Sequence, residues 1–194
     1  MSKKTANRVT EPREQEFDFA LIVSGVDELT GEVEDALFGA GCDDATLSMQ
    51  YGRLYLEFSR SAPSLREAIV SAIRDVHHAG IGAQVLRVDE CSLVTAADIA
   101  RLMGRSRQLV HQYINAQRGP GRFPPPECHL ADHSPLWRWC AVSSWLVQNN
   151  LIRPEESSNA EVIEAINIAL ESARRPAHSS KLVKDVAREL ELSK

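Results

Sequence analysis

The chain has 194 residues, 43% apolar and 25% charged, the balance of a globular protein with room for one or two small domains. No apolar run approaches the roughly 20 residues of a membrane-spanning helix, and the polar start MSKKTANRVTEPREQ has no signal-like segment behind it. Cys42, Cys91, Cys128 and Cys140 contain no C-x-x-C pair, so reduced thiols in a cytoplasmic protein are expected. The net charge of -5 argues against a generic nucleic-acid coat, but it is unevenly spread. Residues 1–90 carry nine Lys and Arg against sixteen Asp and Glu, whereas residues 91–150 carry six Arg against three acids, with three histidines besides.

In chain order, residues 1–15 have no apolar period and read as a mobile tail. Phe17, Phe19, Leu21 and Val23 alternate with Asp18, Ala20, Ile22 and Ser24 as a strand ended by Gly25. Asp27 is the expected cap of a helix with Leu29, Val33, Leu37 and Ala40 on one face and Gly41 past its end. Two alternating runs, Leu47-Met49-Tyr51 and Leu54-Leu56-Phe58, flank Gly52 as a hairpin. A helix started by the proline-containing stretch Ser61–Ser64 presents Leu65, Ile69, Ile73 and Val76, carries His77 and His78 at its end as surface residues, and is closed by Gly80 and Gly82. A last strand covers Val85–Val88. The order β-α-β-β-α-β over residues 16–90 predicts an α+β ferredoxin-like domain. That fold names no function, and a role in sensing a small ligand or contacting a protein partner is expected of it.

Residues 91–152 carry the positive block. Thr95 and Asp98 form a capping-box-like start, and Ile99, Leu102 and Met103 form an apolar stripe. Gly104 permits a sharp turn, and Ser106 caps the next helix. A helix-turn-helix is therefore predicted. With Val110, Tyr113 and Ile114 packed inward, Arg107, His111 and Asn115 face out beside Gln108 and Gln112, and Arg105 lies just before. Arg donates twice to guanine, and Gln or Asn both donates to and accepts from adenine, so this acid-free face suits base edges in a major groove. Beyond it, Gly119-Pro120-Gly121 turns the chain. Arg122 and Phe123 are expected to open a strand that pairs with Leu136–Trp139 across a His- and Pro-rich wing, so that Arg118, Arg122 and Arg138 meet phosphates. Val142, Trp145 and Leu146 mark a closing helix.

TAADIARLMGRSRQLVHQYI, then FPPP, then PLWRWCAVSSWL, make residues 93–150 resemble the MerR-like and AlpA/excisionase-like winged helix-turn-helix proteins. The resemblance implies sequence-specific DNA binding, with Ser106, Arg107, Gln108, His111 and Gln112 on the recognition face. Leu109 departs from it, since a small hydroxyl residue is common there, and the wing is longer and richer in histidine. The set Cys128, His129, His133 and Cys140 has the spacing C-H-x3-H-x6-C, which matches no compact zinc knuckle, so no metal and no cofactor is expected. The three tryptophans read as core. No phosphate-binding glycine loop, nucleophile elbow or zincin motif appears, which leaves an enzyme reading without residues.

Arg153–Asn159 reads as a polar linker into C-terminal helices spanning 153–194. Val162, Ile163, Ile166, Ala169, Leu170 and Ala173 stripe the first of these. After Pro176, a second helix capped by Ser179 or Ser180 carries Leu182, Val183, Val186 and Leu190. These stripes are expected to pack either back on the same chain or on a second copy, a homodimer being the economical solution. The sequence thus predicts a DNA-binding repressor. The alternative is an antitoxin or adaptor whose N-terminal domain binds a protein partner and whose DNA binding serves autoregulation.

Overall fold

The structure, a computed structural model, describes residues 14–131, 134–174 and 177–190. Of the expected tail at 1–15, residues 1–13 lie outside them, and Gln15 instead opens a strand. The chain divides into two compact units, the first ending at Gln84 and the second beginning at Val85.

The first unit contributes β1 (Gln15–Ser24), β2 (Ala45–Gln50) and β3 (Arg53–Ala62) to a four-stranded sheet of order β2-β3-β1-β4, whose last member β4 (Gln84–Val88) begins on the unit's final residue. The register is set by side-chain alternation: Leu21 faces Leu56, Val23 faces Leu54, and Phe19 stacks on Phe58 with ring centroids 5.2 Å apart. The hairpin turns at Tyr51 and Gly52, both at positive φ, as a two-residue turn matched to strand twist requires. Helix α1 (Gly31–Gly39) is capped by Thr30, not by Asp27, because the Thr30 hydroxyl is the one that reaches a first-turn amide, that of Val33. Helix α2 (Leu65–His78) is capped by Ser64, which accepts from Glu67 N–H, and buries Leu65, Ala68, Ile69, Ala72 and Val76.

Arg60 occupies an inward position of β3 and is buried there. Its guanidinium donates to both carboxylate oxygens of Asp44 (2.7 and 2.8 Å), to Asp75 (2.6 Å), to Ser71 Oγ (3.1 Å) and to the Gly41 carbonyl (2.6 Å). The sequence reading missed it. The signal was parity: Leu54, Leu56, Phe58, Arg60 and Ala62 share one face, so a charge there needed partners. Beside it, burial first and the Asp75 charge second push the Cys42 thiol up to about 11.

The second unit contains β5 (Leu93–Val94), α3 (Ala96–Leu102), α4 (Arg107–Ile114), β6 (Trp137–Arg138), α5 (Trp139–Gln148), α6 (Pro154–Arg174) and α7 (Ala177–Glu189). Its core is Val94, Ile99, Ala100, Val110, Tyr113, Trp137, Trp139, Val142, Trp145, Leu146 and Ala160. The expected linker 153–159 is instead the first turns of α6. Pro154 suits the first helical position, where no N–H is missed, and Ser157 is buried with its hydroxyl 3.2 Å from that of Ser143. Asn167 of α6 accepts from the Val88 N–H (2.8 Å) and donates to the carbonyls of Val88 (3.2 Å) and Glu90 (3.3 Å). Helix α7 starts ahead of Ser179 and Ser180, while Pro176 lies outside the described residues. No helix among the described residues is long and apolar enough to cross a membrane.

Candidate nucleic-acid interface

Two caps and one turn position α4. Thr95 accepts from Asp98 N–H (3.1 Å) while the Asp98 carboxylate accepts from Thr95 N–H (3.1 Å), a reciprocal box that starts α3. The Thr95 hydroxyl and backbone bonds together hold the Asp98 carboxyl below its usual range. At the other end Gly104, at φ +60°, donates to the Arg101 carbonyl (3.1 Å), and Arg105 N–H reaches back to Ala100 (2.9 Å). These two bonds make a Schellman ending, which consumes orphan carbonyls of α3 and reverses the chain. Ser106 then caps α4 by accepting from Leu109 N–H (3.3 Å).

Helix α4 buries Val110 and Tyr113. Arg107, Gln108, His111 and Asn115 are exposed and Gln112 is half-buried, with Arg105, Ser106, Arg118 and Arg122 exposed around them. Arg105, Arg107, Arg118 and Arg122 pair with no carboxylate of the described residues. From Asp98 to Glu127 the sequence has five arginines and no acid between, which leaves this face with a one-signed field. Two of the expected contacts are partly occupied by structural duty. The Ser106 hydroxyl is the cap, and the Asn115 amide donates to the His111 carbonyl (2.9 Å), leaving its oxygen.

Downstream the structure differs from expectation. Arg122 and Phe123 open no strand, and Arg122 itself sits at φ +55°. Pro124–Pro126 have no N–H to give a ladder, so the run offers carbonyls instead: Gly121 accepts from the Trp145 indole and Pro124 from the Trp137 indole, each at 3.1 Å. Phe123 seats edge-on between Trp137 and Trp145. The true partner of β6 is β5, with Leu93 facing Arg138 and Val94 facing Trp137, and Cys128 bridges Leu136 antiparallel. Trp139 belongs to α5 and not to a strand. Close packing fixes Gly119: at φ +82°, an added Cβ would lie 2.9 Å from the Tyr113 ring.

Arg138 requires a correction. Its guanidinium is bidentate to Glu127 (2.6 and 2.7 Å) and also bonded to Glu164 of α6, so its charge is already neutralised and it braces the hairpin instead of offering itself to phosphate. No local cue marks this pairing, because Glu164 lies far along the chain. Burial first and Glu164 second raise the neighbouring Cys140 thiol to about 12. His133 lies outside the described residues, and these contain no group of three or more His, Cys, Asp or Glu placed to hold a metal ion.

No protein-family model matches the chain, and no curated protein or solved structure matches it.

Proposed function

We propose that the second unit is a winged helix-turn-helix module of the MerR-like and AlpA/excisionase-like kind. It inserts α4 in the major groove of duplex DNA, and the protein is a sequence-specific transcriptional repressor. The observation that carries this reading is the outer face of α4, which offers exposed Arg107, Gln108 and His111 with half-buried Gln112 at its edge, without a single carboxylate in a chain of net charge -5. Arg107 and Gln108 are the base readers, matched by donor and acceptor geometry to guanine and adenine. Arg105, Arg118 and Arg122 are phosphate contacts, and the Glu127–Leu136 hairpin is the wing. Residues 16–90 are read as a ferredoxin-like domain, supported by the β-α-β-β-α-β order and the sheet order β2-β3-β1-β4. Its role is to sense a ligand or contact a protein.

The test is selection of bound fragments from a random duplex pool, followed by titration of the consensus at several salt concentrations. Arg107→Ala and Gln108→Ala are each expected to cost about 1–3 kcal/mol on the consensus and to relax preference at one position. Arg122→Ala is expected to weaken all sequences alike and to flatten the salt slope by about one ion. Unchanged binding by both helix variants defeats the assignment.

A further inference from the structure

Cys91 and Cys140 lie far apart in sequence and meet where β5 and β6 begin to pair. The ladder matches Leu93 with Arg138 and Val94 with Trp137. One step further out, the Trp139 N–H donates to the Ser92 carbonyl (2.7 Å). The next step in the same register sets Cys91 across from Cys140. Positions across from each other in an antiparallel pair stand about 4.5–5.5 Å apart at Cα, within the span that a disulfide bridges. The chain bends at Ser92 and α5 starts at Trp139, so the ladder itself stops there, yet the two cysteines stay together. The Cys140 thiol is bonded to Glu164, the carboxylate that also takes Arg138, and Glu164 lines a cavity of about 10 Å³ with both cysteines, Ser92 and Trp139. A space of that size holds no more than a water molecule, so no ligand fits between the thiols. Cys91 is exposed and Cys140 half-buried behind it, which backs a reachable sulfur with a resolving one.

We propose that Cys91 and Cys140 form a reversible disulfide site whose reaction partner is a low-molecular-weight disulfide of the glutathione class. Cys91, as thiolate, attacks one sulfur of the small disulfide. A bond forms between the protein and small-molecule sulfurs, and the other half leaves as a thiolate that takes up a proton. Cys140, on losing its proton to water, attacks the Cys91 sulfur, and the second half leaves in the same way. The protein gives up two electrons and two protons, and the small disulfide is reduced to two thiols. The product ties together the two ends of the segment that carries α3 and α4, a closed loop of about 50 residues. The site does not rest on the DNA reading, and its failure leaves the α4 face untouched.

The second step is the slow one. Burial first, then Glu164 and Glu161 of α6, outweigh Arg138 of β6 and push the Cys140 thiol up to about 12, and Glu90 lines the same cavity. Below that value its thiolate fraction grows about tenfold per pH unit.

Incubation of the full chain with oxidised glutathione, followed by peptide mapping without reduction, tests the site. The wild type is expected to pass through a single glutathione adduct and to end two hydrogens lighter, with the tryptic peptide that starts after Arg87 joined to the one that starts after Arg138. Decay of the adduct is expected to accelerate about tenfold per pH unit from pH ~7 to ~9. Cys140→Ser is expected to stop at the adduct on Cys91, and Cys91→Ser to leave Cys140 unmodified. In urea the preference for this pair is expected to vanish, with links spread over all four cysteines. A folded wild type that stops at the adduct as Cys140→Ser does, or one that links Cys91 to Cys42 or Cys128 as often as to Cys140, would overturn the proposal. Neither result bears on recognition by α4, which is measured with the thiols reduced.

Discussion

Several helix ends in the second unit close by the same pair of backward bonds, with a different residue at the left-handed position each time. After α3 it is Gly104, after α4 Ala116 (φ +53°) and after α5 Asn150 (φ +56°). Gln117 N–H reaches Gln112 (2.9 Å) and Leu151 N–H reaches Leu146 (2.9 Å), just as Arg105 reaches Ala100. A Cβ in this conformation costs roughly 1 kcal/mol. Gly104→Ala is therefore expected to destabilise by about 1 kcal/mol, although nothing lies within 4 Å of the new methyl, and Ala116→Gly to stabilise by a similar amount less its unfolded-state entropy. Chemical denaturation of the two variants reads both signs. The sequence shows the first of these turns because glycine announces it; the second is invisible, because alanine at such a site carries no local mark.

Titration enters at the same scale through Asp98. Its folded-state pKa is lowered, so the capping box contributes in full above the carboxylate's unfolded value of about 4 and fades as pH falls through the lower folded value. Thr95→Ala is expected to cost about 1 kcal/mol at pH 7, and the gap to wild type to narrow below pH ~4 in a stability-versus-pH series. Thiol chemistry gives a sharper contrast. At pH 8 exposed Cys91 is expected to react with a disulfide reagent at once. Cys42, held near 11, stays silent until denaturant is added, and Cys140, held near 12, follows Cys91 only slowly.

Among the elements, what was legible is what short-range chemistry dictates. Ser64, Thr95 and Ser106 announce α2, α3 and α4, and the spacing around Gly52 announces the β2–β3 hairpin. What was not legible depends on residues distant in sequence. The two residues of β5 pair with β6 across the whole of α3 and α4, and Arg138 is bonded to a carboxylate on α6. The candidate site divides in the same way. The α4 face follows from helical periodicity, whereas the real course of 121–126 follows from two indoles that needed carbonyls. The Arg60 cluster joins β3, α2 and the chain after α1, with Asp44 and Asp75 each about a quarter exposed. Arg60→Ala leaves those carboxylates facing each other without a cation, and a loss of about 2–4 kcal/mol is expected, smaller than for a fully buried triad because water still reaches the acids.

At the scale of the whole molecule, Trp137, Trp139 and Trp145 all belong to the second unit. Indole emission therefore reports that unit alone, while far-ultraviolet dichroism reports both. In Arg60→Ala the dichroism midpoint is expected to fall while the emission midpoint holds, and in Gly104→Ala the emission midpoint to move. Coincident shifts of both probes in both variants would show that the two units unfold as one.

Helix α7 also holds Lys181 and Lys184, and the sequence has no other lysine between Lys4 and Lys194. Amine-directed coupling to a sensor chip or a fluorophore therefore grips this protein only near the two ends of the sequence, and the lysine-free helix α4 escapes the reagent altogether. A chip prepared in that way holds down the C-terminal helix while leaving α4 chemically native, so the DNA binding proposed for α4 can be tested on immobilised single copies.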